Sequence, residues 1–123
     1  MQAIVYVAMA VIGSVGAWVA SDAAAGEQAT FVVIYEPGPA WQPGVAPEQQ
    51  PGVREHGRYL QRLFDDGVMQ SAGPLDGGGG MMLIRAPDEA AVRALVEADP
   101  GVQSGLLVLG MLRRWQPRDW GSA

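Results

Sequence analysis

From Thr30 onward the apolar and polar positions fall into alternating strand-like and helix-like runs. Thr30-Phe31-Val32-Val33-Ile34-Tyr35 is β-branched and aromatic and stops at Glu36-Pro37-Gly38-Pro39, which predicts a strand running into a turn. Its near-continuous apolarity predicts a central strand covered on both faces. A helical period then sets in. At about 100° per residue, Val53, His56, Gly57, Leu60, Leu63 and Phe64 share one stripe, with Arg54, Glu55, Arg58, Gln61, Arg62 and Asp65 over much of the remaining surface. This helix ends at Gly67. Val68 to Gly73 reads as a second strand and Met81 to Arg85 as a third, and the glycine run 77–80 between them makes the pair a hairpin. Pro87-Asp88-Glu89 opens a second helix with proline in the first turn and acids at the positive end of the dipole. Ala90, Ala91, Ala94, Leu95 and Ala98 give that helix a small-residue face suited to lying close to a sheet, and it ends before Asp99-Pro100-Gly101. Leu106 to Leu112 is the fourth strand, and Arg113 to Ala123 is a polar tail bearing tryptophans.

Strand, helix, strand, strand, helix, strand is a split βαβ order. It predicts an α+β, ferredoxin-like βαββαβ fold: a four-stranded antiparallel sheet with both helices on one face. The other face is left bare, and a second copy of the same sheet is the simplest cover for it, so a homodimer through the sheet face is expected. Residues 36–52 carry Pro37, Pro39, Pro43, Pro47 and Pro51, and Trp41 is the large apolar group of this long loop, which runs directly into the helix bearing His56.

The first 20 residues contain no charged side chain, and Ser21-Asp22-Ala23 and Ala23-Ala24-Ala25 follow as small-residue cleavage sites. Residues 1–25 therefore read as a signal peptide or an uncleaved N-terminal anchor, or as a start codon placed too early. The first two make the protein exported, periplasmic or secreted, or membrane-anchored through residues 1–20. Residues 26–123 form the domain, with its core over 30–115, and one domain is all that this length suggests.

The net charge is −5, and all eight basic residues are arginine, too few and too scattered for a nucleic-acid face. With no cysteine, disulfides, thiolate sites and a cysteine nucleophile are excluded, and one histidine without cysteines makes a transition-metal site an unpromising reading. No cofactor is implied. The glycine run lacks the Lys-Ser/Thr of a phosphate-binding loop.

The single histidine, His56, lies within the apolar stripe and so points inward. Asp99 sits at the C-terminal end of the second helix, the unfavourable end of the dipole for a carboxylate, which calls for a compensating donor. His56 is a candidate for that donor. An imidazole oriented by a carboxylate holds one tautomer, as a general base or acid requires. The same two residues also read as a core histidine with a backbone partner and an Asx stop before Pro100.

His56-x-x-Tyr59-Leu60-x-x-Leu63, Gly67, Ala72-Gly73-Pro74-Leu75, Ala98-Asp99-Pro100, Gly105-Leu106 and Trp115 together resemble the YCII-related (YciI-like) family of the dimeric α/β-barrel superfamily, over about residues 31 to 115. The resemblance implies a ferredoxin-like protomer pairing through its sheets, and a candidate active site in which His56 and Asp99 correspond to the family's His-Asp pair. The arginine often found three residues before that histidine is Val53 here, with Arg54 one place later. Tyr59, Gly73 and Pro74 in the matched motifs, with Arg54 and Trp41 nearby, are the substrate-binding candidates. The function expected is a small cofactor-independent enzyme, a lyase or isomerase, moving a proton on a small carbonyl or phenolic substrate. The alternative is a non-catalytic ligand-binding or structural dimer in the cell envelope.

Overall fold

A computed structural model describes residues 27–121; the expected signal or anchor over 1–25 lies outside the described residues. The elements are β1 (Ala29–Pro37), a 3-10 turn (Pro47–Gln49), α1 (Val53–Asp65), β2 (Met69–Pro74), β3 (Gly80–Ala86), α2 (Glu89–Glu97), α3 (Pro100–Gln103) and β4 (Leu107–Trp115). The sheet order is β2-β3-β1-β4 and every pairing is antiparallel, so the expected ferredoxin-like α+β topology is present. No helix among the described residues is long and apolar enough to cross a membrane.

β1 is central, as its composition suggested, but only one of its faces is covered. Phe31, Val33 and Tyr35 are buried beneath the helices with Met82, Ile84, Leu63, Val92 and Val96, while Thr30, Val32 and Ile34 on the opposite face are only half-buried. On that open face the register sets Val32 beside Leu83 and Arg113, and Ile34 beside Met81 and Met111. A bulge between Ile34 and Tyr35 leaves Gly110 without a partner in β1, and the Glu36 side chain lies against it so closely that a Cβ there would overlap the carboxylate.

α1 starts from Gly52 in the left-handed region and stops in a Schellman arrangement: Val68 N–H bonds Leu63 O at 2.9 Å, Gly67 N–H bonds Phe64 O at 3.0 Å, and Gly67 takes φ 78°. Its inward face is Val53, His56, Tyr59, Leu60 and Leu63. Phe64 and Gly57, expected on that stripe, are exposed instead. The contact face is narrower than the helix's apolar arc because α1 packs along one side only, against β2, α3 and the 3-10 turn.

Three further expectations are corrected. The inward face of α2 is Val92 and Val96, flanked by Ala91 and Leu95, while Ala90, Ala94 and Ala98 face outward, since the branched side chains bury more apolar surface. Pro87 lies outside the helix, and Asp88 is its N-cap, accepting from Ala91 N–H at 2.8 Å. The polar tail begins later than expected: Arg113, Arg114 and Trp115 belong to β4, paired with Val32, Phe31 and Thr30, because a central strand offers its backbone groups along its whole length.

The proline-rich loop is tied down rather than loose. Buried Gln50 donates to Gln42 O and Val45 O and accepts from Gln42 N–H, each at 2.8 Å. Gly38 N–H and Ala40 N–H bond Leu106 O and Gly105 O at 2.9 Å. The glycine hairpin is also specified: Gly77, Gly78 and Gly79 all have positive φ, and a Cβ on Gly79 would overlap the Tyr35 carbonyl oxygen.

Candidate active site

Asp99 is wholly buried. It does not end α2, whose C-cap is Ala98; it opens α3, with Pro100 in the first turn, so its carboxylate meets the positive end of a short helix rather than the negative end of a long one. Three donors converge on it. Gly101 N–H reaches Oδ1 at 2.7 Å, the Tyr35 hydroxyl donates to Oδ2 at 2.9 Å, and His56 Nδ1 lies 2.8 Å from Oδ2 and 3.0 Å from Oδ1. A carboxylate offers acceptors only, so this set satisfies it.

The same carboxylate fixes the imidazole. An acceptor at Nδ1 requires a proton on that nitrogen, which leaves Nε2 of the neutral ring as the lone-pair nitrogen. Nε2 makes no hydrogen bond among the described residues, and the His56 side chain keeps 14% of its surface exposed. The ring stands edge-on to Tyr35, with centroids 5.6 Å apart and planes at 88°. Gly101 makes this packing possible: a Cβ there would lie 2.9 Å from His56 Nδ1, tighter than real contacts allow.

Burial, and secondarily the charge of Asp99, pushes the Tyr35 phenol far above the ordinary tyrosine range, so Tyr35 is a permanent donor to Asp99. The folded chain keeps this proton where the unfolded chain has lost it. Stability is thus unaffected below pH about 10 and falls above it, by up to about 1.4 kcal/mol per pH unit from Tyr35. Urea melts at pH values of about 9 to 11 are expected to show this decline, and Tyr35→Phe is expected to flatten it; an unchanged slope would remove Tyr35 as its source.

His56 opens onto a cavity of about 290 Å³ between α1, the β2–β3 hairpin and the proline-rich loop. Gly73, Pro74 and Trp41, three of the substrate-binding candidates, line it together with Tyr35, Leu60, Met82 and Glu48. Arg54 and Tyr59 do not. Arg54 lines a separate outer depression beside the start of α1. The Tyr59 hydroxyl donates to Leu95 O at 2.7 Å, and the Arg62 guanidinium lies over its ring at 5.5 Å. Arg54, two residues before His56, lies on the far side of α1, whereas Tyr59, three after it, shares the inward face but is directed toward α2 by its bond to Leu95 O. In the sequence Tyr35 reads only as part of a strand. The available signal was a lone phenol ending an otherwise hydrocarbon run, a buried hydroxyl that needs a partner. Among the described residues no group of three or more His, Asp or Glu side chains could hold a metal ion.

A model of the YCII-related domain matches residues 29–116. The chain belongs to the YCII-related family. Among solved structures, it is similar to 5-chloro-2-hydroxyhydroquinone dehydrochlorinase from Burkholderia phenoliruptrix AC1100, determined in complex with 2,5-dihydroxybenzoquinone, with a TM-score of 0.57 and 23% identity. The match covers 71% of this chain and 93% of that one. No curated protein matches the chain. At this identity the likeness shows the fold that this YCII-related chain shares with that enzyme.

Proposed function

We propose that this YCII-related protein is a cofactor-independent proton-transfer enzyme acting on a small carbonyl or phenolic substrate. The observation that carries the reading is the Nε2 of His56: its ring is held through Nδ1 by a buried carboxylate and borders an apolar cavity. Nε2 takes a proton from a C–H beside a carbonyl or from a phenolic O–H, and the electron pair left behind passes into the conjugated oxygen. Asp99 sits against the imidazolium that forms. Returning the proton at another atom is isomerisation; departure of a leaving group with its electron pair is elimination. That the structurally similar enzyme is a dehydrochlorinase bound to a dihydroxyquinone supports the elimination branch and a planar substrate.

The dimer belongs to the same proposal. Val32, Ile34, Met81, Leu83, Met111 and Trp115 stand on the open face of the sheet, and a second copy packed there would complete the two-layer burial that a single protomer lacks. Export is proposed on the apolar residues 1–20 alone.

The test uses deuterium exchange. Incubated in heavy water with a panel of small enolisable ketones and hydroxyquinones, the protein is expected to exchange C–H positions of at least one member, followed by proton NMR. Nitrogen NMR of the single histidine is expected to show a protonated Nδ1 and a bare Nε2 when the ring is neutral, and a mixture of tautomers in Asp99→Asn. If no compound exchanges and the tautomer ignores Asp99, the structural alternative, in which the pair merely locks α1 to α3, replaces this reading.

A further inference from the structure

Among the described residues, the carboxylate of Glu48 is the one acidic or arginine side chain that lines the cavity at His56. Glu48, on the 3-10 turn, borders both the cavity and the outer depression that holds Arg54. The rest of the wall is apolar or aromatic, from Val53, Leu60, Met82, Leu106 and Trp41, with glycine backbone from the hairpin. None of the eight arginines lines it. From this lining we infer that Glu48 selects ligands by charge: the site takes uncharged, single-ring molecules and turns away their anionic counterparts. The inference deepens the proposed function and rests on its reading of the cavity as the substrate site.

The physical argument has two parts. An anion entering an apolar cavity sheds hydration and, with no arginine in the lining, can be paired there only by protonating His56. It also approaches Glu48, whose repulsion adds to that cost, although the exposure of Glu48 to water weakens it. A neutral ligand bears neither cost, and one that carries a hydroxyl can donate it to Glu48 in a charge-assisted hydrogen bond. A volume of about 290 Å³ lies at the small end for ligand sites and suits one ring with its substituents.

Two near-isosteric probes that differ in charge test the inference: para-hydroxybenzamide and para-hydroxybenzoate, each titrated into the full chain while the His56 ring protons are followed by NMR. The amide is expected to bind about tenfold more tightly than the carboxylate. In Glu48→Gln, a change at an exposed position, the ratio is expected to shrink to about twofold through tighter binding of the carboxylate. Equal binding of the two probes by the wild-type protein, an unchanged ratio in the variant, or no response of His56 to either probe would each overturn the inference. Binding ratio and deuterium exchange fail separately. A kept ratio without exchange sinks only the proton transfer, and exchange with a ratio near one sinks only the role of Glu48.

Discussion

Asp99→Ala is expected to lower the unfolding free energy by about 3–5 kcal/mol, the range for removing one partner from a buried, hydrogen-bonded charged site. The loss exceeds that of one hydrogen bond because three donors on three elements lose their acceptor together: the Tyr35 hydroxyl on β1, the His56 Nδ1–H on α1 and the Gly101 N–H on α3. Tyr35 is itself buried, and Asp99 is the acceptor its hydroxyl loses. The α3 N-cap is lost in the same change, and capping alone is worth about 1 kcal/mol. Asp99→Asn keeps one acceptor oxygen but puts an amide donor among donors, so its loss should be intermediate. Urea unfolding followed by circular dichroism measures both, with the slope in denaturant unchanged if only stability is affected. A cost under about 1 kcal/mol for the alanine variant would mean that water replaces the carboxylate and that the three elements do not depend on it.

His56→Gln is expected to reduce the rate of proton exchange on any accepted substrate by about 10²–10⁴, the usual contribution of a positioned general base. Glutamine keeps an N–H for Asp99 and a similar reach, so the fold should survive, but it offers no nitrogen able to hold a proton in passage. The loss should fall on kcat rather than on KM, since the apolar wall that binds the ring of the substrate is untouched. A variant that retains more than about a tenth of the rate would exclude His56 as the base, and the proton would have to move through another group of the cavity.

Much of this arrangement could be read from the chain because its signals are local or periodic. β1, β3 and β4 carry β-branched or apolar runs beside glycine or proline, β2 is placed by the glycine hairpin that follows it, and α1 carries an apolar stripe that includes His56, so the βαββαβ order followed from spacing. Gly73, Pro74 and Trp41 lie near His56 because a hairpin and a loop return there. What escaped the sequence depends on contacts between residues far apart. The partner of Tyr35 lies in another element, so its hydroxyl looked like the polar end of a strand. Asp-Pro-Gly reads equally as a helix stop or as N-cap and first turn, and only the donors around Asp99 decide between them. The outward turn of Phe64 follows from which side of α1 rests on the sheet, a packing choice that no wheel contains.

The tight fit of Gly101 against His56 bears on how the protein comes into being. The bonds that hold the imidazole join residues 64 and 43 positions apart, so the site exists only once distant parts of the chain have met. A partly folded chain can have its sheet and α1 in place and still lack an oriented imidazole, because α3 must dock to within a glycine's width before Asp99 reaches it. Recovery of the oriented ring during refolding therefore reports that α3 has docked, and a newly made chain lacks the arrangement until then.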